Sequence, residues 1–492
     1  MRFDKSKTDL TGTFNVPPAL SLFGVLSLDG QNTSLYLRDE HPFFIEPTSQ
    51  IIITGILDDG TEVSLIDCSV NVSQGSSGSR ENPIWHSTLS PSFIVIGNCN
   101  FPIQDRFISS ISFVLEDWET LFYDIGAFGK AWDQQEILQN LIRSKNLDHP
   151  IPITKDHLIY YFTGKWEIFS TDTVLGQISA FHSLRERRPT PRGFQIDNYV
   201  AIQLRFKGQV DFRSAIQSML YSQQFFEIVV GRVQDFFDVR VCLVDQDPQS
   251  CEVYNCTGRK HRRSNPDHDR VFQSLLVDAV QDRDQFESIL SRWIARHLDW
   301  SEARSSLLIG WREPRYYGRD RIVRAANMFD LLPDDTYPNR KDIPESLISA
   351  VGKTKKDFKK LPESLERNSI LFALGRIKQL TLKEKVRHRA RIIIRQFGKY
   401  IPDICLACDE AVNCRNRYVH GTLSKINYEE HPWTQVFLTD TLEFVFAASD
   451  MIECGWDMSR WYDSDRKSAH PFGLYLCTYA RDLGKLKQQL ER

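Results

Sequence analysis

Long apolar runs are missing from this sequence of 492 residues. Runs such as Phe93–Ile96 have the length of a strand, whereas a membrane-spanning helix needs about 18 or more consecutive apolar residues. The opening segment, MRFDKSKTDL, has charges but no apolar stretch after them, so it does not resemble a secretory signal. We therefore expect a cytoplasmic protein that does not enter a membrane.

Cysteine is sparse, and the ten cysteines form no dense framework, so we expect reduced thiols. The sequence also lacks a glycine-rich dinucleotide fingerprint and an HExxH motif. We therefore expect neither a cofactor nor a catalytic metal. One metal site stays open as an alternative. Four residues have a spacing that suits tetrahedral zinc, although no CxxC knuckle is present among them: Cys251, Cys256, His261 and His268. A second cysteine set is typical of small core residues on a helix: Cys405, Cys408 and Cys414.

Charge is distributed unevenly in a chain whose formal net charge is −3. Between Val351 and Tyr400 there are fifteen Lys and Arg against four Asp and Glu, a local charge of +11. A basic block in an otherwise acidic chain is a candidate phosphate-binding surface. A solvated helix face explains the block equally well when it is considered alone.

The first part of the chain has the pattern of strands, and the last part has the pattern of helices. Residues 34–38, 51–56, 107–113, 157–170, 199–206 and 238–244 read as strands, and Asp211 is a plausible N-cap for a helix that follows it. Residues 74–80 are loop-like, and 187–192 form a Pro-rich basic connection. Helical patterns cover 321–332, 367–380, Leu382–Phe397, 401–413 and 437–452. We predict an α+β protein: residues 1–300 form a β-rich and mixed region, with a further division near 150–190 left open, and residues 301–492 form an all-α bundle.

One predicted helix, Leu382–Phe397, carries a row of cations at i, i+4 spacing beside its apolar stripe: Lys383, Arg387, Arg391 and Arg395. Like charges at this spacing repel by a few tenths of a kcal/mol per pair, that is about 0.2–0.5. Such a helix either has long solvated side chains or meets an anion.

The motif with the candidate catalytic residues is Cys414-Arg415-Asn416-Arg417-Tyr418-Val419-His420-Gly421. It resembles the Arg-polar-x-x-x-His signature of HEPN domains. Residues 315–458 resemble the HEPN domain of ApeA-type anti-phage abortive-infection proteins. Residues 12–17, 24–28 and 51–65 are similar to the N-terminal domain that accompanies it. The resemblance implies a metal-independent endoribonuclease, a homodimer through the HEPN domain, and an N-terminal region that senses a phage-derived trigger or inhibits the enzyme.

The residue types suit this chemistry. RNA carries its own nucleophile in the 2′-OH, so cleavage needs a proton-transferring group near neutral pH and a cation for the phosphorane oxygens. An imidazole such as His420 suits the first role, and the guanidinium of Arg415 suits the second. Residues five apart on a helix point roughly 140° from each other, whereas Asn416 and His420 share a face, so Asn416 is expected to orient the imidazole. Arg417 and Tyr418 are candidate RNA contacts.

Three alternatives stay open. Arg415 can be a surface ion-pair residue, with His420 a helix C-cap before Gly421. The bundle can be a non-catalytic HEPN module that binds RNA or protein through its basic helix. Tyr418 can be the acceptor of a nucleotidyl group transferred by a partner enzyme, as in some HEPN toxins.

Overall fold

A computed structural model describes most of the chain. The described residues are 8–17, 20–45, 51–70, 75–78, 83–97, 107–144, 153–154, 156–190, 193–244, 250–256, 275–338, 343–375, 377, 379–464 and 470–491. The chain divides into two compact units. The first unit comprises Met1–Gln223, Gln234–Phe272 and Asp278–Glu287, and the second comprises Gln224–Val233, Gln273–Val277 and Ser288–Arg492.

The strands of the described part all lie in the first unit. They are β1 (Thr8–Val16), β2 (Leu20–Leu28), β3 (Ser34–Asp39), β4 (Ile51–Leu57), β5 (Glu62–Val70), β6 (Gly75–Gly78), β7 (Pro83–Ser90), β8 (Phe93–Ile96), β9 (Ile108–Leu115), β10 (Phe128–Trp132), β11 (Leu158–Phe162), β12 (Glu167–Asp172), β13 (Gln177–Thr190), β14 (Gly193–Val210), β15 (Phe236–Leu243) and β16 (Ser250–Asn255). Fourteen of them form one sheet in the order β12-β13-β14-β9-β15-β16-β8-β5-β4-β1-β2-β3-β7-β6, and β10 pairs with β11 separately.

Part of this sheet closes on itself. Strand β5 pairs with β4, β8 and also β7, so β5, β4, β1, β2, β3 and β7 form a ring. Along β1 every second residue is buried from Gly12 to Val16, which is the period of a strand with one face in a core. Phe14, Leu26 and Leu65 fill the interior. At Gly12 a Cβ atom would lie 2.4 Å from the Ile56 carbonyl oxygen, so only glycine permits this approach of β4.

The helices are α1 (Trp118–Leu121), α2 (Gln135–Ser144), α3 (Phe212–Val230), α4 (Arg283–Ala295), α5 (His297–Arg312), α6 (Arg319–Asn327), α7 (Glu345–Lys360), α8 (Leu365–Gly375), α9 (Leu382–Phe397), α10 (Ile404–His420), α11 (Pro432–Glu453), α12 (Met458–Asp463) and α13 (Pro471–Glu491). Asp211 caps α3 as predicted, because its Oδ1 accepts from the Ser214 amide at 3.0 Å. No helix of the described part has the length and apolarity that a bilayer crossing requires.

Helix α11 is the centre of the second unit. Its buried residues run from Thr434 to Ile452 and include nearly every position of the helix. A helix that is apolar around its circumference is stable only when other elements cover all of its faces. Helices α6, α9, α10 and α13 pack against it.

Two carboxylates of α11 are buried and paired with arginines. Asp450 accepts from Nε and Nη2 of Arg304 at 2.9 and 3.1 Å, and Glu443 accepts from Nε and Nη2 of Arg321 at 2.8 and 2.9 Å. Buried charges are tolerated when such bidentate pairs replace their lost hydration. The Arg321 pair ties the first turn of α6 to α11.

The predicted α+β class is confirmed, because the described strands end at Asn255 and the described elements from Arg283 to Glu491 are all helices. Several local predictions were wrong. The loop predicted at 74–80 contains β6, and residues 187–190 belong to β13 instead of a connection. The helix predicted to end at residue 413 continues through the whole motif to His420, because Gly421, with φ +66°, is the first residue that leaves the helix.

Candidate active site

The motif lies on the C-terminal half of α10, which ends in a left-handed glycine. Gly421 donates its amide to the Arg417 carbonyl at 2.9 Å, and its φ of +66° would be strained for most other residues. The buried residues Cys414 and Ala411 hold this helix in the bundle, while His420 is exposed at its end. The motif is therefore presented at the surface on a fixed helix.

Arg415 and His420 meet although they are five residues apart. Arg415 Nη1 lies 3.1 Å from His420 Nε2 and 3.1 Å from Asn416 Oδ1. The length of the arginine side chain closes the angular gap between the two positions. Asn416 therefore contacts the guanidinium, where the sequence led us to expect that it would orient the imidazole.

The contact between these two side chains sets a condition on the imidazole. A guanidinium has only donors, so His420 Nε2 can form this hydrogen bond only as the acceptor, with the ring proton on Nδ1. A neutral imidazole is the form that can take up a proton from a hydroxyl.

A residue that the sequence reasoning missed completes the site. Asn327, the last residue of α6, accepts from Arg415 Nη2 at 3.0 Å. Arg415 Nε is buried and has no hydrogen-bond partner among the described residues. The guanidinium is therefore held from two helices and still has donor capacity. No local signal could have found Asn327, because it is 88 residues away from Arg415 in sequence.

Comparison with family models gives the relationship of the chain. A model described as ApeA N-terminal domain 1 matches residues 9–293, which is more than half of the chain. The chain belongs to the ApeA family. A second model, described as Apea-like HEPN, matches residues 323–460, which contain Asn327 and the whole motif. The chain is thus an HEPN-containing defence protein of the ApeA type. Comparisons with curated proteins and with solved structures found no match. The boundary at residue 300 stays a prediction.

The four predicted cations of α9 have different surroundings in the HEPN domain. Arg387 forms a bidentate pair with Asp409 of α10, in which Nε donates to Oδ1 at 2.6 Å. Arg391 and Arg395 are exposed, Lys383 is half-buried, and none of these three forms an ion pair within the described part of the chain. Their RNA contacts stay predictions, and Arg387 is the least available of the four.

The Tyr418 side chain contacts residues of α6 and α11. Its hydroxyl donates to Gln435 Oε1 at 2.8 Å, and the Arg319 guanidinium lies 5.3 Å from its ring centroid. Burial raises the pKa of the Tyr418 hydroxyl. Arg417 is half-buried and forms no side-chain hydrogen bond or ion pair with the residues that the structure describes. The Tyr418 hydroxyl is thus bound within the bundle, whereas the Arg417 guanidinium is available to a ligand, and the RNA contacts of both residues stay predictions.

The cysteine sets do not form a metal centre in the described residues, where no group of three or more His, Cys, Asp or Glu side chains could hold an ion. Cys408 and Cys414 are buried, and burial raises the pKa of both thiols. Burial also raises the pKa of Cys256 to about 12. Cys251 is disulfide-bonded, against our expectation of reduced thiols, whereas the eight other described cysteines are free. The disulfide removes a thiolate from the zinc set. His261 and His268 lie outside the described residues.

Proposed function

We propose that the chain is a metal-independent endoribonuclease acting in anti-phage abortive infection, with Arg415 and His420 as its catalytic residues. The observation that carries this proposal is the contact of 3.1 Å between the Arg415 guanidinium and the exposed His420 imidazole. HEPN domains are generally associated with ribonuclease activity, and the Apea-like HEPN match covers both residues.

The proposed reaction uses the 2′-OH of RNA as the nucleophile. A phosphate oxygen competes with His420 Nε2 for the Arg415 donor, and this releases Nε2 to accept the 2′-OH proton. The 2′-oxygen then attacks phosphorus, the bond from phosphorus to the 5′-oxygen breaks, and the 5′-oxygen takes up a proton from a protonated imidazole of a second motif. Arg415 stabilises the charge that develops on the phosphorane oxygens. The products are a 2′,3′-cyclic phosphate and a 5′-OH.

This reaction needs one group that accepts a proton and one that donates a proton, and each chain supplies one imidazole in the motif. A homodimer that brings two motifs together across a two-fold axis supplies both groups. The exposed position of His420 at the end of α10 leaves it accessible to a second copy. We therefore include an HEPN-mediated homodimer in the proposal.

Three further parts of the proposal concern the substrate, the trigger and the place of action. Single-stranded RNA is the substrate class, and Lys383, Arg391, Arg395 and Arg417 are its expected phosphate contacts. The region matched by the ApeA N-terminal model is the expected sensor of a phage-derived trigger. The protein is expected to act in the cytoplasm.

The test compares wild-type full-length protein with His420→Ala and Arg415→Ala, each after phage challenge and as purified protein. We expect wild type to cleave RNA in EDTA and to leave 2′,3′-cyclic phosphate ends. Each variant should lose cleavage by roughly 10²–10⁴-fold, the usual contribution of a proton-transfer group. Sequencing of the RNA ends and thermal melting of the variants are the measurements.

The alternative proposal, a non-catalytic HEPN module, predicts a different result. In that case wild type binds RNA in a salt-dependent way, cuts none before or after the trigger, and His420→Ala changes affinity alone. Cleavage that EDTA abolishes would refute the proposed mechanism.

A further inference from the structure

An open cavity of about 290 Å³ lies between α11 and α13 of the second unit. All of its lining residues belong to these two helices, so the cavity is separate from the motif on α10. Its aromatic wall comes from Trp433, Phe437 and Tyr475. The Phe437 and Tyr475 rings are buried and stack with their centroids 6.1 Å apart. Since an apolar cavity of about 150 Å³ holds benzene, this cavity has room for an aromatic ring with a short side arm.

One carboxylate in the cavity wall, that of Asp440, has an oxygen that binds nothing in the described part of the chain. The Tyr317 hydroxyl donates to Asp440 Oδ1 at 2.7 Å. Asp440 Oδ2 has no hydrogen bond or ion pair with the residues that the structure describes, and it is accessible to solvent. The neighbouring Glu443 is matched, because Arg321 binds both of its oxygens. Burial raises the pKa of the Asp440 carboxyl to about 7, as expected for a negative charge that no cation neutralises.

The second carboxylate of the wall, that of Asp482, is already neutralised. Nε and Nη2 of Arg481 donate to its two oxygens at 2.8 and 3.0 Å, and Lys485 Nζ lies 3.7 Å from Oδ1. The Lys485 ammonium also lies 5.3 Å from the Trp433 ring centroid, within the range of about 6 Å for a cation–π contact. The wall therefore keeps one excess negative charge, at Asp440, near a ring that already binds an ammonium group.

We propose that this cavity binds a small organic cation, an amine in its ammonium form on an aromatic or aliphatic body. The ammonium donates to Asp440 Oδ2, and the body of the ligand packs against Trp433, Phe437 and Tyr475. An anion would be repelled by the unmatched carboxylate, and a neutral apolar molecule would leave Oδ2 without a partner. The cavity lies outside the motif, so this inference goes beyond the proposed function and does not depend on it.

The test uses two amines as probes, 2-phenylethylamine and hexylamine, and compares each with its neutral alcohol, 2-phenylethanol or hexanol. Isothermal titration calorimetry of the full-length protein at pH 8 measures binding. We expect a dissociation constant of about 1 mM or below for at least one amine, which is reasonable for ligands of this size. The matching alcohol should bind at least tenfold more weakly, because it carries no charge for Asp440.

Two variants show whether the amine binds in this cavity. Asp440→Asn keeps the shape of the side chain and removes its charge, so it should weaken amine binding at least tenfold. Val436→Trp places an indole in the cavity, whose wall includes Val436, and should abolish binding although Asp440 keeps its charge. The exposed Asp463→Asn is the matched control and should bind like wild type. Urea unfolding checks that each variant is folded.

The pH dependence of binding is an independent measurement. Around Asp440 the charged and titratable groups are Tyr317, Arg321, Glu443, Arg481, Asp482 and Lys485. The amine, like a lysine side chain, stays protonated up to pH 8, and it binds the deprotonated carboxylate. The deprotonated share of Asp440 rises from about a tenth at pH 6 to about nine-tenths at pH 8. Wild-type affinity should therefore rise about tenfold over this range, whereas the affinity of Asp440→Asn should not change.

Three results would overturn the proposal. The first is that neither amine binds wild type at about 10 mM. The second is that an amine and its alcohol bind equally well, which would make the cavity an apolar site without preference for a cation. The third is that folded Asp440→Asn binds the amines like wild type.

Discussion

Arg415 donates from Nη1 to Nε2 of His420 across 3.1 Å, and its other terminal nitrogen is held by Asn327 at 3.0 Å. One planar group thus contacts the proposed base and a second helix at the same time. A lysine cannot do this, because its single ammonium lacks the fork geometry.

The first prediction concerns Arg415→Lys. The charge is kept but the fork is lost, so we expect cleavage to fall by about 10²–10³-fold, as when one preorganised donor to a transition-state oxyanion is removed. RNA affinity should change little. Single-turnover cleavage and equilibrium binding separate the two effects. Arg417→Lys is the control, and a similar loss in both variants would contradict a special role for the Arg415 fork.

A second prediction concerns Asn327→Ala. Loss of a hydrogen bond to a charged group costs about 1.5–3 kcal/mol, so we expect a slower cleavage step by about 10–100-fold with the dimer unchanged. Asn327 does not need to touch RNA, so the Michaelis constant should change less than the turnover number. Asn368→Ala, on the exposed helix α8, is the control. Wild-type cleavage by Asn327→Ala would show that the second helix does not hold Arg415 in the working enzyme.

The exposed cations of α9 lead to a third prediction. Arg391→Ala and Arg395→Ala should each lower the slope of log affinity against log salt by about 0.7 on single-stranded RNA. Arg387→Ala should change this slope less and lower the free energy of unfolding by about 1 kcal/mol, because Asp409 already binds both of its donors. Fluorescence anisotropy at several salt concentrations measures the slope. Lys207→Ala, in the first unit, is the control, and equal slopes in all variants would exclude α9 as the RNA surface.

A fourth prediction concerns Asp440 of α11, whose pKa burial raises to about 7, although the Tyr317 hydroxyl donates to its Oδ1 at 2.7 Å. Since the folded state holds this proton more tightly than the unfolded state, Asp440 lowers the free energy of unfolding as pH rises from about 4 to about 7. Asp440→Asn should therefore gain stability over wild type through this range, by at most about 4 kcal/mol, and then keep a constant difference above pH 7.

Urea unfolding of wild type and Asp440→Asn at pH 5, 6, 7 and 8 measures this difference. The exposed Asp463→Asn serves as the control and should show no such trend. Subtraction of wild type removes the opposite contribution of His297 and His470, whose pKa values burial lowers to about 3. A constant difference from pH 5 to pH 8 would mean that Asp440 titrates normally.

Local pattern was enough to predict much of the helical part. The bounds of Leu382–Phe397 agree with the structure, because an apolar stripe, a cap and a polar face coincide there. Thr381 and Glu384 form the capping box that begins this helix. By contrast, α7 was not predicted from its amphipathic sequence, and β6 was read as a loop from its glycines and serines. In β6 the pairing with β7 decides the conformation, and composition does not report such pairing.

The sequence by itself determined the class of fold, the ApeA-type organisation and the Arg415 and His420 motif, because helical periodicity and a short motif are properties of neighbouring residues. Only the tertiary structure decided that Asn327 holds Arg415, that Asp409 pairs with Arg387, and that no residue of α8 is buried. These are contacts between distant parts of the chain. They depend on how helices pack through their buried faces, and the type of a residue does not reveal which distant residue it will contact.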